Sequence, residues 1–232
     1  MSITAPFTDR RAAGRALAAI LVRRELASPV VLALPRGGVA VAAEIARALA
    51  APLDIVLVRK IGVPYQPELA AAAVVDGDKP EVVVNADVIA LADVPAEYIE
   101  AATRRELAEI ERRRALYLEG RARVPIEGRT AILVDDGIAT GTSVRAAIEA
   151  LRRHKPKALV LAVPVAPREV AADLARQVDD LVCLATPDPF FAIGVHYLDF
   201  HQLSDAEVVE LLAEVPAGPR GGAPGEEAGP GP

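Results

Sequence analysis

The stretch Ala131-Ile132-Leu133-Val134-Asp135-Asp136-Gly137-Ile138-Ala139-Thr140-Gly141-Thr142-Ser143 decides the fold. It opens on an uninterrupted apolar run, ends that run on two adjacent carboxylates, and turns through Gly, Thr and Ser into a helix reaching Arg153. Uninterrupted runs of this kind belong to strands covered on both faces in a parallel sheet. Downstream the alternation continues with a strand at Ala158 to Val163, a helix from Arg168 to Gln177 and a strand at Leu181 to Ala185. Upstream lie a helix from Thr8 to Ala27 with its arginines outward, a strand at Val30 to Leu34, and the turn Pro35-Arg36-Gly37-Gly38. An alanine-rich helix to Ala50 and a strand from Asp54 to Val58 follow. Repeated strand–helix units predict an α/β fold, a doubly wound and mostly parallel sheet flanked by helices.

One segment breaks the alternation. Ile61 to Asn85 is rich in proline and charge, with two short strands expected at Leu69 to Val75 and Glu81 to Val84, and reads as a loop or ribbon on the rim. Pro95 then opens a long helix to Gly120, with Glu100 and Arg104, and Glu109 and Arg113, at i,i+4 spacing. The last helix starts at Ser204, where Ser204-Asp205-Ala206-Glu207 has the form of a capping box. The predicted organisation is a core over 1–186 containing a flexible loop at 60–80, a hood-like C-terminal segment with the final helix over 187–215, and a disordered Pro/Gly-rich tail over 216–232.

Composition excludes several classes. Of 232 residues, 52% are hydrophobic but only 3% aromatic, so the core relies on small aliphatic side chains. Cys183 stands alone, which rules out an internal disulfide and fits a reducing compartment. The 26 Lys and Arg are outnumbered by 32 Asp and Glu, giving a net charge of −6 that argues against nucleic acid as a partner. The N-terminus lacks a basic start followed by an apolar run, and no apolar stretch approaches the ~18 residues of a membrane span. A cytoplasmic protein without membrane attachment is expected. Four of the eight aromatics, Phe190, Phe191, Tyr197 and Phe200, gather near the C-terminus.

The turn after Val134 offers backbone N–H groups and hydroxyls at a helix start, the usual cradle for a phosphate. Asp135 and Asp136 accept hydrogen bonds and suit vicinal hydroxyls or a hydrated divalent cation. Phosphate donors beside hydroxyl acceptors describe a ribose 5-phosphate. The segment resembles the signature of the type I phosphoribosyltransferases, which bind phosphoribosyl pyrophosphate; it is neither a Walker loop nor a dinucleotide fingerprint. Two further segments fit the resemblance, which spans about residues 8 to 214. Leu34-Pro35-Arg36-Gly37-Gly38-Val39 corresponds to the pyrophosphate loop, and Val58-Arg59-Lys60-Ile61-Gly62 through Glu68 to the start of the flexible loop.

The resemblance implies transfer of the 5-phosphoribosyl group to a nitrogen acceptor, a nucleobase by preference, with Mg2+ carried mainly by pyrophosphate and water, and a place in nucleotide salvage. Residues Ala139, Thr140, Gly141, Thr142 and Ser143 would hold the 5-phosphate. Asp135 and Asp136 would hold the ribose hydroxyls, and Arg36, Gly37, Gly38, Arg59 and Lys60 the pyrophosphate. Arg36 and Lys60 would act with the two acids in catalysis. Phe190, Phe191 and Tyr197 would form part of the acceptor site, with Glu68 as the nearest acid. Ala139 stands where hypoxanthine–guanine enzymes carry an acid, and the loop is closer to the adenine type. Dimers are common in the family, so a homodimer is compatible with it. The alternative is a non-catalytic regulator that senses phosphoribosyl pyrophosphate on the same fold.

Overall fold

A computed structural model describes residues 6–77 and 80–215, without the side chain of Glu68; the expectations for the tail 216–232 and for Glu68 as an acid lie outside the described residues. The chain runs through α1 (Arg10–Leu21), β1 (Val30–Ala33), α2 (Gly37–Leu49), β2 (Leu53–Ile55), β3 (Val58–Val63), β4 (Gln66–Val75) and β5 (Glu81–Val84). It continues through α3 (Ala86–Leu91), α4 (Ala96–Tyr117), β6 (Thr130–Val134), α5 (Thr142–Arg153), β7 (Ala158–Val165), α6 (Arg168–Ala175) and β8 (Asp180–Ala185). A 3-10 turn (Ile193–His196) and α7 (Asp205–Ala213) complete it.

The expected parallel sheet is present. Its five strands run in the order β2-β1-β6-β7-β8, every pair parallel. Alternation along each strand divides the core into two layers. Val31, Ala33, Ile132, Val134, Val160 and Ala162 face α1, α2, α4 and α7, whereas Val30, Leu32, Ala131, Leu133, Leu159 and Leu161 face α5 and α6. Small residues let the helices approach closely: a Cβ on Gly14 of α1 would lie 2.6 Å from the Val41 carbonyl of α2.

Three expectations need correcting. The apolar run from Asp54 to Val58 serves two sheets: β2 ends at Ile55, and β3 begins a separate antiparallel sheet in the order β3-β4-β5. The segment read as a loop or ribbon keeps both expected strands, Leu69 to Val75 within the longer β4 and Glu81 to Val84 as β5, with Ile61 and Val74 in one core layer and Ala73 and Val75 in the other. Hydrophobicity reports burial, and a change of hydrogen-bonding partner leaves no mark on it. The first helix is shorter than its periodicity suggests, capped by Asp9, whose carboxylate accepts from the Ala12 N–H at 2.6 Å. Its Arg10, expected on the outer face, is buried. At the other end Ser204 and Glu207 form the expected capping box of α7.

Candidate functional site

The order of the parallel sheet reverses between β1 and β6, and open α/β sheets bind ligands beyond the carboxyl ends of strands at such a switch point. Both Gly-containing turns singled out in the sequence leave the sheet there, because Leu34 follows β1 and Asp135 follows β6. They are packed on one another. A Cβ on Gly37 would fall 1.9 Å from Asp136 Oδ2, and one on Gly38 would fall 2.8 Å from the Val134 carbonyl. The two glycines thus serve the contact between the turns, beyond any approach of a ligand to the backbone. The Pro35–Arg36 peptide within the first turn is cis.

The two acids occupy different environments. Asp135 is turned back on its own chain, with Oδ1 accepting from the Asp136 N–H at 2.9 Å. Burial, reinforced by the charge of Asp136, holds its carboxyl well above the usual carboxylate range. Asp136 has a cation of its own. Arg10 Nε donates to Asp136 Oδ2 at 2.7 Å, and the two side chains are only 9% and 14% exposed. Tyr197 donates its hydroxyl to the Asp136 carbonyl at 2.5 Å. Burial and the nearby Asp136 push that phenol's pKa up, so it stays a donor.

Beyond the acids, Gly137 meets the C-terminal segment, where an added Cβ would lie 2.5 Å from Ile193 Cγ2. Ala139 and Thr140 are exposed, and Gly141 precedes α5 at φ +76°, the left-handed region that glycine tolerates. No side chain caps this helix. Its first N–H groups are therefore left for an anion, and the helix dipole favours one. The Thr140 and Thr142 hydroxyls lie 3.2 Å apart at the same place. Arg145 braces the turn, donating to the Thr140 carbonyl at 2.7 Å while pairing with Asp173 at 2.8 Å.

The remaining candidates are spread around this centre. Arg36, at the start of α2, lies 3.7 Å from Asp205 at the start of α7, and the Tyr117 hydroxyl donates to the same carboxylate oxygen at 2.5 Å. Arg59 is paired with Glu106 of α4 at 2.7 Å. Its neighbour Lys60 is exposed, with no acid in ion-pair contact among the described residues. Phe190 stacks on His196 with ring centroids 5.7 Å apart, and Phe191 is 80% exposed. Tyr197 is buried between Phe7 and Phe200, its ring centroid 5.5 and 4.9 Å from theirs. Phe7 is a core group and Phe200 packs against the core, so Tyr197 supports the acid turn. Sequence reasoning missed Arg10 and Phe7, since a single Arg in an Arg-rich helix carries no mark of its partner. Among the described residues no group of three or more His, Cys, Asp or Glu could hold a metal ion, and no helix is long and apolar enough to cross a membrane.

Comparison with known proteins identifies the family. A family model for the phosphoribosyl transferase domain matches residues 7–199. Proteins from two strains of Mycobacterium tuberculosis, each named "Putative phosphoribosyl transferase", are 48% identical over 206 residues, covering 89% of this chain and 46% of theirs. The chain thus spans about half the length of the curated relatives it matches. The crystal structure of TT1426 from Thermus thermophilus superposes with a TM-score of 0.79 at 41% identity, covering 90% of this chain and 99% of that one.

Proposed function

We propose, from the premise that this chain belongs to the phosphoribosyl transferase family, that it binds phosphoribosyl pyrophosphate with Mg2+ across the switch point and transfers the 5-phosphoribosyl group to a nitrogen acceptor. The observation carrying this reading is the meeting of an uncapped helix start, an acid pair and a glycine turn at one end of the parallel sheet. Each part matches one part of that substrate. The N–H groups and hydroxyls of 139–143 take the 5-phosphate, the carboxyl oxygens of Asp135 and Asp136 take the ribose hydroxyls, and the turn at Arg36 to Gly38 takes the pyrophosphate.

In the reaction the bond from the anomeric carbon to pyrophosphate oxygen breaks as a bond to the acceptor nitrogen forms, the acceptor's N–H proton leaves to solvent, and the ring passes through an oxocarbenium-like state. This chain's residues fix the sugar between two anchors and meet charge on the departing pyrophosphate with Arg36 and Lys60. Arg36 would exchange its contact with Asp205 for the leaving group. Mg2+ suits a site with few protein ligands, because it keeps waters and rides largely on phosphate oxygens. When bound, it neutralises charge on the pyrophosphate. The donor set fits that mode, since the carboxylates of Asp135 and Asp136 are oxygen ligands of the kind a hydrated Mg2+ accepts.

The acceptor is proposed to be a nucleobase, lodged beneath the segment from Phe190 to His196, with Phe191 as an exposed flat face. Phe190→Ala and Phe191→Ala are expected to raise the acceptor KM about tenfold while leaving phosphoribosyl pyrophosphate affinity unchanged. Equal loss of both would assign these rings to packing.

The reading as a whole is tested by melting curves and pyrophosphate release. At about a hundredfold excess over Kd, phosphoribosyl pyrophosphate with Mg2+ should raise Tm by about 5–10 °C. A screen of nucleobases and small amines should then find one that releases pyrophosphate. No shift at millimolar ligand defeats the reading, and a shift without release by any acceptor favours a ligand-sensing regulator.

A further inference from the structure

The N-terminal segment and the C-terminal segment are zipped together beside Asp136. The Phe7 N–H donates to the His196 carbonyl at 2.8 Å, the Leu198 N–H to the Phe7 carbonyl at 2.8 Å, and the Asp199 N–H to the Thr8 carbonyl at 3.0 Å. Arg10 lies at the end of this zipper. Besides binding Asp136 through Nε, it donates from Nη1 to the His201 carbonyl at 2.8 Å, and its guanidinium sits over the Phe200 ring, 3.9 Å from the centroid. The residue is 8% exposed. Three directions of the guanidinium are thus fixed by groups from outside its own helix.

A buried arginine held by an acid, a carbonyl and a ring face is poorly placed to release one contact and take up a ligand. It is well placed to hold a partner still, since a planar fork fixes both distance and angle. Asp136 is held on other sides as well, by Tyr197 on its carbonyl and by Gly37 against its carboxylate. Arg10 takes Oδ2, and the Asp135 carboxyl also approaches this group; Oδ1 is not held by Arg10 and can accept from another donor.

We infer that Arg10 is a positioning residue for substrate binding, a latch that fixes the Asp136 carboxylate so that its other oxygen meets a ribose hydroxyl, and that ties the C-terminal segment to this acid. The inference rests on the proposed function above. It extends that function to a residue on α1, outside the three segments that mark the site in the sequence. The role requires the fork as well as the charge, because the second donor holds the His201 carbonyl. Lysine therefore restores only part of it.

The test compares two ligands, phosphoribosyl pyrophosphate, which presents ribose hydroxyls, and inorganic pyrophosphate, which has none. Both are titrated with Mg2+ by calorimetry into the wild type, Arg10→Met and Arg10→Lys. Arg10→Met should weaken phosphoribosyl pyrophosphate about tenfold or more, as expected when a positioned group shifts by a fraction of an ångström, with pyrophosphate affinity unchanged. Arg10→Lys should fall between it and the wild type. Equal weakening of both ligands would reduce Arg10 to a structural role, and no change in either would also overturn the latch. Should Arg10→Met fail to fold, Arg10→Lys decides on the same comparison, selective loss supporting the inference and equal or absent loss refuting it. A wild type that binds neither ligand indicts the proposed function itself.

Discussion

Asp135→Asn combined with Asp136→Asn should abolish the rise in Tm produced by phosphoribosyl pyrophosphate while leaving a folded protein. Each carboxyl is assigned to ribose hydroxyls; a hydrogen bond to a charged acceptor contributes about 1.5–3 kcal/mol and a neutral one, the case favoured for Asp135 by its burial, about 0.5–1.5 kcal/mol. Losing both is worth about 2–4.5 kcal/mol, or roughly 30- to 2000-fold in affinity. Fold stability responds differently. Removing one partner of a buried ion pair outright costs about 3–5 kcal/mol, but asparagine keeps an oxygen where Arg10 Nε can still donate. At the same time Asp135→Asn removes a carboxyl whose pKa is raised by burial and, after that, by the crowding of Asp136. The apo protein should therefore melt within a few degrees of the wild type. An undiminished ligand shift in the double variant would remove the ribose from this acid pair and would count against the proposed function.

How far the sequence carried this site follows from which kinds of order are local. The strand, acid pair, turn and helix from Thr130 to Arg153 form one continuous stretch, and their composition states burial and the strand–turn–helix order without help from elsewhere. The capping box at Ser204 is local in the same sense. What stayed hidden depends on partners far away in the chain. Arg10 meets Asp136 across 126 positions, and Tyr197 reaches the same residue across 61. Neither has a sequence pattern, because an ion pair between distant elements imposes no spacing. The run through Val56 and Val58 misled for another reason: apolar residues continue although the hydrogen-bonding partner changes from β1 to β4. The gathered aromatics were legible as a cluster only. Their division into a buried Tyr197 and an exposed Phe191 follows from the fold of the segment around Phe7.

Gly37→Ala tests the same centre from the other turn, and a large loss is expected from a single methyl group. By helix propensity alone the change should stabilise, since Gly37 begins α2 and alanine is favoured over glycine by up to about 1 kcal/mol in helix interiors. The local geometry opposes this. The new Cβ would lie 1.9 Å from Asp136 Oδ2 and 2.4 Å from Asp136 Cγ, well inside contact distance. A free surface carboxylate would swing aside at little cost, but this oxygen is the one bonded to Arg10 Nε. Either the turn moves or the buried ion pair opens. Overpacking of this kind costs about 1–3 kcal/mol, or a Tm lower by about 2–12 °C, and the displaced carboxylate should weaken phosphoribosyl pyrophosphate about a hundredfold. A glycine needed only for a ligand's approach would leave the apo Tm unchanged on substitution, so the unliganded melting curve separates the two roles. Adding Asp136→Ala to Gly37→Ala removes the overlapping atoms. The cost of the first substitution should then largely vanish when each variant is compared in the Asp136→Ala background, while ligand binding remains lost. An additive penalty in that background would place the conflict elsewhere in the turn.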